Sequence, residues 1–245
     1  MENALLIGLS RQTTLRNQLD VVANNIANIN TTGYKSQSIL FEEYLMPVAE
    51  ASDFQGQDKT LSYVVDYKSI YDQSQGAFTQ TGNPLDIAIS GEGFFVVETE
   101  DGEAYTRNGA FHLDNTGQLV TADGKPVLGD GGPLQFAPED GTISIAEDGT
   151  VSTDLGEKGK LRLVRFEDPE DLDRIGENLF EGEDAEPVLN PRLTQGTIER
   201  SNVQGVVEIT RMIEITRSYQ AVSKMISDGN DLSRKAIEEL GTIRA

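Results

Sequence analysis

The first part of the chain has the apolar spacing of an amphipathic helix. Apolar residues recur at intervals of four and three, which places them on one stripe of a helix. They are Leu15, Leu19, Val22, Ile26 and Ile29, and Leu5 and Leu9 extend the stripe upstream. No proline precedes Pro47, and Gly8 alone interrupts the run. The pattern predicts a helix of about 25 residues, about 38 Å long at 1.5 Å per residue.

The last part of the chain continues the same alternation over more than four heptads, from position 212 to position 243. Eight of the ten seam positions are apolar: Met212, Ile215, Tyr219, Val222, Ile226, Ala236, Leu240 and Ile243. Gly229 and Ser233 weaken the seam locally. An apolar seam with charged residues off it is typical of a coiled coil. Because neither helix is stable alone in water, we expect the two helices to pair with each other, with copies of themselves, or both.

The middle of the chain has the pattern of strands and tight turns. Residues 86–90 alternate, and residues 94–97 form a continuous apolar run. Glycine turns recur after them, namely Asp101-Gly102, Asn108-Gly109, Thr116-Gly117, Asp123-Gly124, Asp140-Gly141 and Asp148-Gly149. Asp-Gly and Asn-Gly supply the positive φ of hairpin turns, so the pattern favours a meander or small barrel over a parallel sheet. The acid-dense segment 167–187 predicts an exposed excursion.

These patterns together predict an α+β fold. Long N- and C-terminal helices form one coiled-coil-like domain, and a β-rich middle of hairpins or a small barrel forms the other. The predicted boundaries are an N-terminal helix at 1–35, an extended connecting region at 36–80, an acidic β-rich domain at 81–196 and a C-terminal helix at 197–245.

The formal net charge of -21 is concentrated in the middle of the chain. Residues 1–35 sum to +1 and residues 197–245 to zero, so residues 36–196 carry -22. Nucleic acids and anionic membranes need a basic face on the protein, so the acidic balance argues against both as partners.

The residue types present leave few catalytic or metal-binding options. The chain has no cysteine and one histidine, which excludes thiolate metal sites and makes the usual triads hard to build. We predict no catalytic residue, no metal and no cofactor. No apolar run approaches the roughly 20 residues that span a bilayer. The first residues lack the cationic region and cleavage site of a secretory signal.

An asparagine-rich segment follows the first helical stripe. Asn24, Asn25, Asn28 and Asn30 lie there although asparagine is a poor interior helix former. Gly33 then favours a left-handed stop. One interpretation is a frayed helix end, and the other is that Asn24 and Asn28, one turn apart, hydrogen-bond across a packed interface.

This segment, ANNIANINTTGYK, resembles the signature of the flagellar basal-body rod, hook and hook-associated proteins. The resemblance continues through ISGEGFFVVE and AYTRNGAFHLDNTGQLVTADGKPVLG, and ends with SNVQGVVEITRMIEITRSYQAVSKMI. It therefore covers essentially the whole chain. The length resembles that of the two mid-sized rod proteins, and PVLGDGGPL with the short linker before GNPLDIAI favours the proximal-rod over the distal-rod type.

The resemblance implies a structural subunit of the rod that assembles helically across the periplasm, transmits torque and lines the export channel. The implied assembly interface has two parts. The signature supplies Asn24, Asn25, Ala27, Asn28, Thr32, Gly33 and Tyr34, and the helices supply Leu15, Leu19, Val22, Ile26, Met212, Ile215, Tyr219, Val222 and Ile226, facing each other in knobs-into-holes fashion.

The same resemblance implies the partners and the location. The partners are copies of the chain and other rod subunits, with no nucleic acid, no direct membrane insertion and no small-molecule substrate. The location is the flagellar basal body, reached by export without a cleaved signal peptide.

Other interpretations of the residues remain open. A distal-rod protein of the same family is one. A free acidic binding module or carboxylate hydrolase is another, although with 41 acidic residues a suitable pair arises without any function. Calcium binding by the acidic turns is disfavoured because Asp140 and Asp148 lack the spacing and closing glutamate of an EF-hand.

Overall fold

The computed structural model describes residues 2–47, 60–168 and 172–242, which belong to two compact units. The first unit comprises Met1–Ala27, Gln37–Ile70 and Gln204–Ala245, and the second comprises Asn28–Ser36 and Tyr71–Val203. Chain segments from both ends of the sequence therefore share the first unit, and the middle of the sequence makes up most of the second.

The first unit consists of two helices and a two-stranded sheet. Helix α1 is Glu2–Ala27 and helix α2 is Gly205–Thr242. Strands β1, Gln37–Pro47, and β2, Thr60–Tyr71, pair with each other. The prediction of two terminal helices is confirmed. Neither helix, over the described residues, has an apolar stretch long enough to cross a membrane.

The second unit is built from short strands and one 3-10 turn. The strands before that turn are β3 Phe78–Gln80, β4 Ile87–Ile89, β5 Phe94–Thr99, β6 Gly102–Thr106, β7 His112–Leu113, β8 Leu119–Val120, β9 Leu128–Gly129 and β10 Gly132–Pro133. The 3-10 turn is Pro138–Asp140. The strands after it are β11 Ser144–Ile145, β12 Thr150–Thr153, β13 Gly156–Lys160, β14 Leu163–Arg165, β15 Asp173–Gly176, β16 Leu179–Glu181, β17 Glu186–Pro187, β18 Leu193–Gln195 and β19 Thr197–Glu199.

A six-stranded antiparallel sheet organises the second unit, in the order β15-β16-β6-β5-β14-β17. Successive side chains of a strand point to opposite faces, and both faces of β5 are buried. Phe95 and Val97 pack into one apolar core, whereas Phe94 and Val96 pack into another. This double burial explains why the run FFVV is continuously apolar rather than alternating.

Three details differ from the predictions. The described strands form open antiparallel sheets and no closed barrel, so of the two predicted forms only the hairpin form is present. Gly109 does not have a positive φ, unlike the glycines of the other five predicted turns. Gly109 instead lies against the Ile87 carbonyl, where a Cβ atom would overlap the oxygen. Most described residues of the segment 167–187 are exposed, as predicted, but the segment is not a simple excursion, because it supplies three strands of the large sheet and buries Phe180.

Candidate assembly interface

The two helices of the first unit run antiparallel. Gly8 of α1 lies beside Ile226 of α2, with 3.1 Å from an ideal Cβ position on Gly8 to the isoleucine Cγ1. Further along α1, the Gln12 amide donates to the Tyr219 hydroxyl at 3.0 Å. At the other end, the Asn25 amide donates to the carboxylate of Glu208 at 3.4 Å. Residues later in α1 therefore contact residues earlier in α2, as in an antiparallel pair.

The predicted apolar seam residues are brought together between these helices. Leu15, Val22, Ile215 and Val222 are buried in one cluster. The half-buried side chains packed against that cluster are Leu19, Ile26, Met212, Tyr219 and Ile226. Burying a side chain of this size contributes about 1.5 to 3 kcal/mol. A single chain therefore already uses the part of the predicted seam from Leu15 to Ile26 and from Met212 to Ile226 in pairing its own two ends.

The upstream end of the predicted α1 stripe is displaced by one residue. Leu9 is exposed, and the position that faces α2 is Gly8. With Gly8 and Gln12 included, the α1 residues facing α2 keep the four-and-three spacing of a heptad. Leu5, Leu240 and Ile243 lie outside the residues whose side chains the structure describes.

The buried amide of the asparagine-rich segment is Asn25. Its Nδ2 donates to the Gln37 carbonyl oxygen at 2.8 Å, and its Oδ1 accepts from the Gln37 backbone N–H at 2.9 Å. Glu208, which is also buried, accepts from Asn25 and is paired with Arg211 at 3.0 Å. One side chain thus connects α1, α2 and the start of β1.

The other signature residues of α1 and its end have different surroundings. Asn24 and Ala27 are exposed. Asn28, in the second unit, is half-buried and accepts hydrogen bonds from the Thr31 hydroxyl at 3.0 Å and the Thr31 backbone N–H at 3.1 Å. Within the chain, the buried amide that connects the two helices is that of Asn25.

The rest of the signature is buried in the second unit. The Thr32 carbonyl oxygen accepts from the Asn178 amide at 3.0 Å. Gly33 has φ of +66°, and a Cβ there would be 2.5 Å from the Arg107 backbone, so glycine is needed for both conformation and space. Tyr34 is fully buried with the Arg174 guanidinium 4.5 Å from its ring centroid. These contacts explain why the signature continues beyond the helix.

A buried ionic cluster lies next to this segment and consists of Lys35, Arg107 and Glu199. Lys35 Nζ is 2.8 Å from Glu199 Oε1, and Arg107 Nε is 2.7 Å from Glu199 Oε2. The Gly76 backbone N–H also donates to Oε1, at 2.9 Å. Both cations also donate to backbone carbonyl oxygens. Lys35 donates to the Ser74 oxygen at 2.7 Å, and Arg107 donates to the oxygens of Ile89, Gly91 and Gly93.

The protonation behaviour of the cluster follows from its burial. Removal from water lowers the pKa of Lys35, although the nearby Glu199 carboxylate opposes this. For Glu199, burial acts to raise the pKa, but the charges of Arg107 and Lys35 and the hydrogen bonds outweigh it. The pKa of Glu199 therefore lies below its ordinary value of 4.5, and the carboxylate is ionised at neutral pH.

Sequence reasoning did not find this cluster. The one available signal is that each of the three charged residues lies within two residues of a glycine or threonine, in the motifs TTGYK, YTRNG and GTIER. Among the described residues, no group of three or more acidic or histidine side chains is arranged to hold a metal ion.

Both helices carry apolar side chains that are exposed within the part of the chain that the structure describes. On α1 these are Leu6, Ile7 and Leu9. On α2 they are Val206, Val207, Ile209, Ile213, Met225, Leu232 and Ile237. Exposed apolar patches of this extent are typical of interaction surfaces.

Three family models match the chain. The model described as flagella basal body rod protein matches residues 5–35. The flagellar hook protein FlgE/F/G D1 domain matches residues 88–153, and the flagellar basal body rod FlgEFG protein C-terminal model matches residues 194–239. The first and third include most of α1 and α2, and the second lies in the second unit.

Full-length relatives agree with these matches. The flagellar basal-body rod protein FlgF of Caulobacter vibrioides is 42% identical, with 99% of this chain and 100% of that protein covered. FlgF of Mesorhizobium japonicum is 31% identical over 99% of each chain. The flagellar basal-body rod protein FlgG of Bacillus subtilis is 34% identical, with 97% of this chain and 98% of that protein covered. The chain therefore belongs to the flagellar basal-body rod protein family.

Proposed function

We propose that this chain is a structural subunit of the proximal rod, which assembles with copies of itself and with other rod subunits to transmit torque across the periplasm. The observation that carries the proposal is the helix pair: α1 and α2 bury one apolar seam within the chain and leave further apolar residues exposed on both helices. The full-length identity of 42% to a FlgF protein supports the same role.

The domain roles belong to this proposal. Helices α1 and α2 form an inner domain with coiled-coil, knobs-into-holes packing around the export channel, and the acidic β-rich residues 81–196 lie outside. The distribution of charge supports this arrangement, since the helical ends are near neutral and residues 36–196 carry -22. Like charges on a stacking surface would repel at every contact, and the helices avoid that cost.

In this role the chain acts by assembly and not by catalysis, needs no cofactor, and takes neither nucleic acid nor a small molecule as a partner. It does not insert into a membrane and is exported without cleavage of a signal peptide. In this arrangement Asn24, Ala27 and the exposed helix residues contact neighbouring subunits.

A distal-rod role is the second candidate, because FlgG of Bacillus subtilis is 34% identical over nearly the full length of both chains. Imaging of purified basal bodies that carry a labelled copy separates the two. Label at the membrane-proximal part of the rod supports the proposal, and label along the distal part supports the second candidate.

The same basal bodies test the rod role as such. Deletion of residues 205–242 is expected to abolish motility and remove the label from the rod. Absence of the full-length labelled protein from intact rods, or normal motility after that deletion, would contradict a structural role.

A further inference from the structure

A cavity of about 440 Å³ lies in the second unit, beside the buried ionic cluster. Its walls include Lys35 and Arg107 of that cluster, the loop 91–93 and the side chains of Phe94 and Phe166. A volume of this size is within the range of small-molecule binding sites. All of the residues that line the cavity belong to the second unit, so a ligand there is independent of the helix seam and of the proposed function.

The buried side chains next to the cavity carry an excess of positive charge. Lys35 is 2% exposed and Arg107 is 5% exposed, and both are paired with the same carboxylate, that of Glu199. Two cations and one anion sum to a charge of +1. Because a buried charge without a counter-charge is costly, the excess favours an anion in the adjoining cavity.

The other charged side chains near the cavity are exposed. Glu92, Glu167 and Arg165 line it, and Asp72 lies close to the ionic cluster. Arg165 is paired with Glu186, which is also exposed. Water and salt screen exposed charges, so these carboxylates compensate the buried excess only weakly.

The cavity also offers a hydrogen-bond donor. Gln73 lines the cavity and is half-buried, and its Nε2 atom is buried without a hydrogen-bond partner among the described residues. An amide left in this way loses the hydrogen bonds that it makes to water in the unfolded chain. A change of the Gln73 rotamer brings this donor to a ligand that carries an acceptor.

One wall of the cavity is aromatic. The rings of Phe94 and Phe166 meet edge to face, with their centroids 5.8 Å apart. Aromatic rings add favourable contacts with a further ring in an offset or edge-to-face arrangement. At Gly91, in the loop beside these rings, nothing lies within 4 Å of an ideal Cβ position, so the cavity has open space there.

We propose that this cavity is a binding site for a small aromatic carboxylate. The carboxylate of the ligand balances the excess charge of Lys35 and Arg107 and accepts a hydrogen bond from the Gln73 amide. Its ring packs against Phe94 and Phe166. A single inorganic ion would balance the charge but would leave most of the volume and the aromatic wall unused.

Benzoate is the probe for this site, and benzamide, which has nearly the same shape and no charge, is the matched control ligand. Each is titrated into the isotopically labelled full-length protein. The NMR signals of the Gly91 and Gly93 backbone amides and of the Gln73 side chain report binding. We expect benzoate to bind at least about tenfold more tightly than benzamide, a difference of about 1.4 kcal/mol that the charge attraction supplies.

Two variants test the roles of the side chains. Lys35→Met removes the excess charge and leaves Arg107 paired with Glu199, so the preference for benzoate should disappear. Lys224→Met makes the same change in net charge at an exposed position of α2 and should keep the preference. Gln73→Leu retains all of the buried charges and removes the amide donor, so it should weaken benzoate binding about tenfold.

Several results would overturn the inference. They are equal affinities for benzoate and benzamide, an unchanged preference in Lys35→Met, and shifts confined to signals of the first unit. Another is the absence of any shift at about 10 mM benzoate, which would nearly saturate a site with a Kd of about 1 mM. If Lys35→Met does not fold, the comparison of the two ligands on the wild type and the Gln73→Leu variant decide the question. The rod role is tested separately by the labelled basal bodies.

Discussion

Arg107 and Glu199 are 92 residues apart in the sequence, yet Arg107 Nε donates to Glu199 Oε2 at 2.7 Å in the interior of the second unit. Lys35 binds the other carboxylate oxygen. The two cations and one anion join three distant segments: the end of the signature, the residue after β6, and the end of β19. Among the described residues, Glu199 is the one acidic side chain that forms an ion pair with Lys35 or Arg107.

Replacing Glu199 should destabilise the protein strongly. Glu199→Gln keeps the shape but leaves Lys35 and Arg107 buried without a counter-charge, which typically costs about 3–5 kcal/mol. The free energy of unfolding in urea, followed by circular dichroism, measures the loss. The control is Glu186→Gln, which removes an exposed partner of Arg165 and should cost less than about 1 kcal/mol. Equal losses in the two variants would contradict the assigned role.

The stability of the protein should fall in acid through Glu199. Because the pKa of Glu199 is lowered by folding, its contribution is complete above about pH 4.5 and is lost as the pH falls through the lower, folded-state pKa. The pKa values of Asp114 and Asp148 are also lowered, mainly by hydrogen bonds, so the wild type alone does not isolate Glu199. The test compares the free energies of unfolding of the wild type and of Glu199→Gln. The difference between them should shrink as the pH falls from about 6 to about 3. A constant difference would refute the assignment.

Gly33 should not tolerate even alanine. Gly33→Ala combines a left-handed backbone with a Cβ 2.5 Å from the Arg107 backbone, and the latter cannot yield without moving the ionic cluster. The matched control is Gly82→Ala, where φ is +77° and nothing lies within 4 Å of the added methyl group. The control isolates the conformational cost of about 1–2 kcal/mol. Thermal unfolding should show a larger loss for Gly33→Ala, and similar losses would mean that the close approach is unimportant.

Asn25 should matter more to the first unit than its neighbour Asn24. Asn25→Ala leaves the Gln37 backbone N–H and carbonyl without this partner and removes a donor from Glu208, at a cost of about 1–3 kcal/mol. Asn24→Ala, at an exposed position, removes no buried amide and should cost less stability than Asn25→Ala. Helical circular dichroism during urea denaturation compares the two. A larger loss of stability in Asn24→Ala than in Asn25→Ala would show that the exposed amide is the structural one.

A charge in the helix seam should disrupt the helices of the first unit and leave the second unit folded. Val22→Asp places a carboxylate in the cluster with Leu15 and Ile215, so helical signal and incorporation into basal bodies should be lost while the β-rich unit stays folded. Ala23→Asp, one residue along on an exposed position, is the control and should incorporate normally. Normal basal bodies from Val22→Asp would show that the seam is not required for assembly.

The helices and the β-rich middle could be predicted because their signals are local. A heptad of Leu15, Leu19 and Val22 specifies a helical face within a few residues, and Asp-Gly dipeptides specify turns within two. The direction in which the helices pair is not local, since a heptad fits parallel and antiparallel partners equally well. The direction is revealed by contacts between distant residues, Gly8 with Ile226, Gln12 with Tyr219 and Asn25 with Glu208.

The ionic cluster was beyond sequence reasoning for a related reason. Lys35 and Glu199 are 164 residues apart, and neither belongs to a periodic pattern that would mark it as buried. Charged residues are usually on the surface, so a single sequence favours that assignment for both. Asn25 belongs to the predicted interface set, but the role of an amide across a packed contact was predicted for Asn24 and Asn28, because their spacing of four residues is one helical turn.

The large sequence separation of the paired helices also determines when the first unit can fold. The partners of Gln12 and Asn25 on α2 lie 207 and 183 residues further along the chain, so the seam between α1 and α2 cannot form within one molecule until almost the whole chain has been synthesised or delivered. A product that stops before α2 contains every residue of α1 and most of the second unit but cannot close the seam. Pairing of the two ends therefore distinguishes complete copies from incomplete ones before a copy takes its place among others.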